Sequence, residues 1–270
     1  MTLYLIGVGL CDIKDISVKG LEIVKKCDFV YLEYYTSVLF SSKQELEDFY
    51  GRKILVADRN LVESHAEDTI ISQSKKKDVA FLVVGDVFSA TTHTDLFLRA
   101  IKAKVKVKYI PNASIMNAIG ICGLELYKYG KTTSIPYPVG TFVPVTSYDV
   151  IKQNKSQGLH TLCLLDIKVA EPSTENLKKG VNKPEPPRFM TVKEGLKVLL
   201  MAEGRRGENV IDSDTLVIGL ARIGHDDFII KSGSLSKIEK EDFGAPLHSI
   251  IIPGNLHFIE QEAIDFWKVK

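Results

Sequence analysis

Three short segments hold residue types that could do chemistry on a ligand. Gly85-Asp86-Val87-Phe88-Ser89-Ala90-Thr91-Thr92-His93 sets a glycine, an acid and small hydroxyl residues ahead of a helical stretch. Backbone amides in such a loop could hold a carboxylate, and Asp86 could meet an ammonium or a sulfonium. The same residues suit plain helix capping by Thr92 or Thr94 with Asp86 in a turn, and spacing alone favours that plainer reading. Asn112-Ala113-Ser114 repeats the theme, with Asn112 or Ser114 able to cap a helix whether or not a ligand binds. Gly7-Val8-Gly9 opens like a dinucleotide fingerprint, with Glu33 where an acid would hold a ribose. Against that, Asp12 stands where a third glycine would be, and the next helix begins too late to cradle a pyrophosphate. A tight turn needing room for backbone explains the glycine pair as well.

Other reactive side chains carry less. The histidines, among them His93, His160, His225 and His248, show no metal-ligand spacing, so no metal is expected. Tyr31, Tyr34 and Tyr35 could line a pocket, though aromatic side chains so spaced commonly just pack. Cys11, Cys27, Cys122 and Cys163 form no Cys-x-x-Cys pair and read as reduced thiols. There is no P-loop and no Gly-x-Ser-x-Gly, and no residue is singled out as a catalytic base.

Positioning such loops is the work of the elements around them. Strands are expected over 3–8, 29–33, 53–57, 79–84 and 105–110. Helices are expected between them: one capped by Asp15 or Ser17 and running to about Lys26, one opened by a Ser42/Glu45 capping box, one starting near Asn60 and Glu63, and one over about 95–104. The nearly unbroken apolar run at 79–84 is that of a strand covered on both faces. This alternation predicts an α/β fold whose N-terminal domain, 1–111, holds a mostly parallel sheet. Such sheets bind ligands at the carboxyl ends of their strands, and two loops, after Val8 and after Val84, stand there. Strands outnumber helices further on, so the C-terminal domain, 112–270, is expected to hold a mixed sheet. Its expected elements are a small-residue helix over 114–126, strands at 132–135, 161–167, 215–221, 228–232 and 247–252, and helices over 191–203, with a Thr191/Glu194 capping box, and 259–267. The polar, proline-containing stretch 168–188 reads as a long loop.

Bulk properties narrow the partners. The 270 residues suit one large domain or two of medium size. With 35 basic and 34 acidic residues the charges nearly cancel, which argues against nucleic acid and for a protein or small-molecule substrate. The apolar N-terminus lacks a basic leader and a small-residue cleavage site and reads as a first strand. No apolar run approaches the length of a membrane span, so no membrane partner is expected and the default location is cytoplasmic.

Taken together, the segments resemble a known family. Tyr4-Leu5-Ile6-Gly7-Val8-Gly9-Leu10, Gly85-Asp86 and Asn112-Ala113-Ser114-Ile115 are similar to the tetrapyrrole methylase superfamily. Further blocks resemble its diphthamide-pathway branch across nearly the whole chain: Tyr31-Leu32-Glu33-Tyr34-Tyr35-Thr36-Ser37-Val38, Ala90-Thr91-Thr92-His93, His160-Thr161-Leu162-Cys163, Glu185-Pro186-Pro187-Arg188, Gly219-Leu220-Ala221-Arg222 and Pro246-Leu247-His248-Ser249. The resemblance implies a two-domain tetrapyrrole-methylase-like fold with S-adenosyl-L-methionine in the cleft between the domains, as a homodimer. It implies a protein substrate, elongation factor 2, whose aminocarboxypropyl-histidine gains three methyl groups on the amine and, in the eukaryotic branch that this chain resembles, a methyl ester on the carboxylate. It assigns cofactor binding to Leu10, Asp86, Ser89, Ser114 and Ile115, and to Leu165, Ile223 and His248, with Leu165 and Ile223 as dry walls for the adenine. Cys11 departs from a common glycine and Val87 from the usual Gly-Asp-Pro; neither change removes a charge or a donor. The basic segment 178–188 and the aromatic run near Tyr34 are candidates for docking the protein substrate. The rival readings are a related methyltransferase acting on a macrocycle or RNA, a nicotinamide-dependent oxidoreductase using Gly7, Gly9 and Glu33, and a catalytically silent binding protein.

Overall fold

The apolar runs of the first half pair side by side. In the computed structural model, which describes residues 1–37, 39–169 and 185–270, β1 (Thr2–Gly7), β2 (Phe29–Glu33), β3 (Ile54–Ala57), β4 (Val79–Val83) and β5 (Lys106–Ile110) form a sheet in the order β3-β2-β4-β1-β5. Every pairing in it is parallel. β4 is central and buried at each position, which is why its sequence is apolar without alternation. Successive side chains feed two cores. Leu3, Leu5, Phe81 and Val83 meet Val62, Ile70, Leu96 and Ala100 on one face; Ile6, Ala80 and Leu82 meet Val24, Leu46 and Tyr50 on the other. Each fully buried Leu, Ile, Val or Phe among them contributes about 1.5–3 kcal/mol.

Local chemistry starts and stops the flanking helices. Ser17 caps the helix Val18–Lys26 by accepting from the Gly20 amide, and the Ser42/Glu45 capping box opens Lys43–Tyr50. The helix Arg59–Ser64 is capped by Asp58, two residues earlier than the expected start at Asn60. Thr94–Lys102 follows His93, which provides no side-chain cap, so the capping expected of Thr92 or Thr94 does not occur; the Thr91 hydroxyl donates to the Val87 carbonyl within the preceding loop.

The strand order has a consequence for ligands. The connection from β1 to β2 passes over β4, while that from β4 to β5 passes over β1 in the opposite direction. The chain therefore reverses its winding between β1 and β4, and the crevice outside their carboxyl ends is the topological switch point.

The chain divides into two compact units, Met1–Ala118 and Ile119–Lys168 with Pro187–Lys270. In the second, β6 (Thr133–Ile135), β7 (Thr161–Leu165), β10 (Leu216–Ala221), β11 (Ile229–Ser234) and β12 (His248–Ile252) order as β11-β10-β12-β7-β6. Only β6 and β7 run parallel, so this sheet is mixed, as expected. A small ribbon pairs β8 (Ile167–Lys168) with β9 (Arg188–Phe189). The helices Thr146–Ser156 and Val192–Arg206 supply Tyr148, Ile151, Leu196 and Leu199 to one core with Cys163, Val217 and Ile250.

Three expectations need correction. The helix expected over 114–126 stops at Ala118 and gives way to 3-10 turns at Ile119–Cys122 and Leu126–Lys128. Gly123 then cuts the run: it holds φ +95, outside any helix, and a Cβ there would lie 2.2 Å from that of Ala263. The strand expected over 161–167 breaks at Asp166, whose carboxylate accepts from the Tyr137 amide at 3.0 Å and whose carbonyl accepts from Met190 at 2.9 Å. The helix Thr146–Ser156 was not expected at all, since Val145 before it offers no capping side chain. Among the described residues no helix is long and apolar enough to cross a membrane.

Candidate functional site

The loops after β1, β4 and β5 meet at the switch point of the first unit. Gly9 and Gly85 exchange backbone hydrogen bonds, Gly9 N–H to Gly85 O at 3.2 Å and Gly85 N–H to Gly9 O at 2.6 Å. A Cβ on Gly7 would lie 2.6 Å from the Gly85 carbonyl oxygen and 2.9 Å from the Asn112 Cβ. Glycine is required here because three backbones close on one point. Asn112 ties the knot with its side-chain amide, donating to the carbonyls of Gly7 at 3.0 Å and Asp15 at 2.9 Å. Asp15 in turn accepts from the amides of Leu10 at 3.1 Å and Cys11 at 2.7 Å. Leu10, Ser89 and Ile115 are half-buried around this knot, and Ser114 is buried, its hydroxyl accepting from the Met116 amide at 3.2 Å.

Asp86 holds the β4 loop against the end of β5. Its Oδ1 accepts from the Phe88 amide at 3.0 Å and the Ser89 hydroxyl at 3.1 Å. Its Oδ2 accepts from the Asn112 amide at 3.1 Å and from the Tyr109 hydroxyl. Burial by itself would raise the carboxyl pKa, but the bonds from Tyr109, Phe88, Asn112 and Ser89 outweigh it and hold the group below its ordinary value. A carboxylate has about four lone-pair directions, and here the protein takes them all. Asp86 is thus an ionised brace, and the amides of residues 10, 11, 88 and 112 that a ligand carboxylate could have used already serve Asp15 and Asp86.

The comparisons with known proteins fall on this geometry. Residues 2–196 match the family Tetrapyrrole (Corrin/Porphyrin) Methylases. The chain belongs to the tetrapyrrole methylase family. It is 53% identical to the diphthine methyl ester synthase of Dictyostelium discoideum, with 100% of this chain and 99% of that one covered. It is 52% identical to the diphthine methyl ester synthase of Homo sapiens, over 99% of this chain and 95% of that one. The crystal structure of a diphthine synthase superposes with a TM-score of 0.85 at 34% identity, covering 99% of this chain and 96% of that one. As a tetrapyrrole methylase the chain is a methyltransferase.

The nicotinamide reading does not survive the family's topology. β4 lies between β1 and β2, so Glu33 is not on the strand next to the glycine turn, as a ribose acid must be. Glu33 is fully buried and turned into its own loop, accepting from the amides of Tyr35 at 2.8 Å and Thr36 at 2.6 Å and from the Thr36 hydroxyl at 2.7 Å.

Within the second unit of this tetrapyrrole methylase, Arg222 organises two of the expected residues. It sits in the left-handed region at φ 52, and its buried guanidinium donates to the carbonyls of Phe243 at 2.9 Å and Ala245 at 2.6 Å and to the Asp227 carboxylate at 2.8 Å. Its amide donates to the Leu247 carbonyl at 2.8 Å. Ile223 and His248 are thereby held at the ends of paired strands, where Ala221 faces His248. The His248 Nε2–H donates to the Ala245 carbonyl at 3.0 Å, and Nδ1 accepts from the Val192 amide at 3.4 Å. Burial lowers its pKa, so the ring is neutral. Leu165 is packed in the core at the end of β7. Of the basic segment 178–188, residues 178–184 lie outside the described residues; Arg188 lies 3.6 Å from the centroid of the Tyr137 ring. Tyr34 is exposed, Tyr31 donates to Gln73 at 3.0 Å, and Tyr35 is buried. Sequence reasoning gave no bracing role to Asp15, Tyr109 or Arg222; Tyr109 and Arg222 act through partners more than twenty residues away, so no local signal marks their roles.

Proposed function

We propose that this methyltransferase uses S-adenosyl-L-methionine to modify the aminocarboxypropyl-histidine of elongation factor 2, adding three methyl groups to the amine and one to the carboxylate to give diphthine methyl ester. The observation that carries the reading is identity of about one half, over full length, to proteins named diphthine methyl ester synthase.

The first unit suits the methyl donor. The switch point offers small hydroxyl side chains at Ser89 and Ser114 and apolar Leu10 and Ile115. In this reading Leu10, Asp86, Ser89, Ser114 and Ile115 hold S-adenosyl-L-methionine, Asp86 acting through the loop that it braces. Leu165, Ile223 and His248 are the second unit's share, the first two as apolar surface for the adenine. The bound donor supplies a methyl carbon that is already electrophilic. The protein's part is to orient the acceptor and exclude water. The amine must lose its proton before each N-methylation, while the carboxylate needs no base to accept its methyl group. The reading includes a cytoplasmic, homodimeric enzyme with no nucleic-acid or membrane partner.

Intact-mass measurement of aminocarboxypropyl-bearing elongation factor 2, incubated with this protein and S-adenosyl-L-methionine, tests it. A gain of four methyl groups, absent from unmodified elongation factor 2, is expected. Three would remove the ester step, and none, with cofactor binding confirmed separately, would overturn the reading.

A further inference from the structure

In the second unit the ribbon of β8 and β9 sets two cations face to face, Lys168 paired directly with Arg188. Like charges opposite each other on paired strands repel, so the pairing has a cost that a bound anion would remove. Both cations gather at one ring. The Arg188 guanidinium carbon lies 3.6 Å from the centroid of Tyr137, and the Lys168 Nζ lies 6.0 Å from it. Tyr137 is itself buried and fixed, its amide donating to the Asp166 carboxylate at 3.0 Å and its hydroxyl to Glu194 at 3.4 Å. A guanidinium in contact with a ring face is held flat, with its N–H fork left free along its edge. The Arg188 side chain is nevertheless 59% exposed.

The neighbouring acids are engaged elsewhere. Glu194 closes the Thr191 capping box, accepting from the Thr191 amide at 2.8 Å and hydroxyl at 3.0 Å. It reaches Arg188 only at 3.4 Å, long for a charge-assisted bond. Among the described residues no acid lies within ion-pair reach of Lys168. A planar fork with a point charge beside it is the donor set that a carboxylate fits, taking two parallel N–H bonds from the guanidinium. The first turn of the helix Val192–Arg206 ties this platform to the second unit's proposed donor residues. Its Glu194 meets Arg188, its Val192 amide donates to His248 at 3.4 Å, and a Cβ on its Gly195 would lie 2.8 Å from the Leu165 side chain.

We propose that Arg188 and Lys168, set on the Tyr137 ring, bind a carboxylate of the protein acceptor; the inference rests on the function proposed above. Arg188 is then a specificity-determining residue. Two sources on the acceptor carry this chemistry: the carboxylate of the aminocarboxypropyl chain, and an acidic side chain of the protein surface around it. In the first case esterification neutralises the group that the cations hold, so the methyl ester should bind less tightly than the trimethylated acid.

The test is a calorimetric titration of the protein, loaded with S-adenosylhomocysteine so that no transfer occurs, using elongation factor 2 in unmodified and aminocarboxypropyl forms. Arg188→Gln is expected to bind the aminocarboxypropyl form about 10-fold more weakly than wild type, the loss of one charge-assisted hydrogen bond. Arg188→Lys keeps the charge without the fork and should fall between the two. Lys168→Gln leaves the stacked guanidinium in place and should cost about 3-fold, as an exposed point charge does. A loss confined to the aminocarboxypropyl form puts the carboxylate on the modified side chain; an equal loss with both forms puts it on an acidic side chain of the acceptor. Unchanged affinity for both forms in Arg188→Gln and Lys168→Gln overturns the proposal. A fall in S-adenosylhomocysteine affinity also overturns it, giving the cations to the donor's own carboxylate. Wild type that transfers methyl groups while the variants bind unchanged sinks only the carboxylate site; wild type that binds S-adenosylhomocysteine but neither binds nor methylates elongation factor 2 sinks the functional reading, and this proposal with it.

Discussion

Asp86 and His93 stand on the same loop and are nearly equally buried, yet one is saturated with partners and the other has none. Asp86 keeps its charge in the interior because four donors from three segments converge on it, and in doing so it fixes the loops after β4 and β5. His93 gives up its charge, because nothing repays the cost of burying it. A saturated buried group holds structure; an unsaturated one stays buried only by giving up its charge. In the second unit Arg222 is saturated as Asp86 is, its guanidinium stitching carbonyls together.

That contrast can be broken at either end. Asp86→Ala should have the largest effect, since it strands the amides of Phe88 and Asn112 and the Tyr109 hydroxyl together: about 4 kcal/mol of stability lost by urea unfolding, with S-adenosylhomocysteine affinity falling alongside. A variant within about 1 kcal/mol of wild type would mean that the brace is not structural.

His93 predicts a pH dependence of opposite origin. Its pKa is about 4 in the folded protein against an ordinary value of 6.5. Between those values the unfolded chain binds the proton and the folded chain does not, so stability falls as pH drops from 6.5 toward 4 and then levels off. The loss should reach about 3 kcal/mol, and His93→Phe should remove it. Superimposable pH profiles for the two proteins would refute the assignment.

Tyr109→Phe is the finest probe. It removes one of the four donors to Asp86, so about 1.5 kcal/mol is expected, together with a rise in the Asp86 pKa that an NMR titration of the carboxyl carbon would detect. An unchanged carboxyl pKa would show that the remaining three donors suffice.

Much of the architecture is legible in the sequence. The capping boxes at Ser42/Glu45 and Thr191/Glu194 are local and appeared where expected, and the unbroken apolar run of β4 foretold a central parallel strand. The misreadings share a cause. The helical run expected over 114–126 is cut at Gly123, held at φ +95 against Ala263 from far along the chain, and the strand through Asp166 breaks because Tyr137 and Met190 claim its oxygens. Glu33 read as a ribose acid because position along the chain could not reveal that β4 separates β1 from β2.

What the sequence determined by itself was periodicity, capping and turn chemistry, hence the alternating α/β plan, the placement of Gly7, Gly9, Gly85 and Asp86 at strand ends, and, through whole blocks of residues, the family. Only the tertiary structure decided which strand ends meet, that Asp86 and Arg222 are saturated, and that His93 and the Tyr35 hydroxyl are not. Those properties depend on strand order and on partners brought together from far along the chain, and hydrogen-bond saturation becomes definite only when every neighbour is in place.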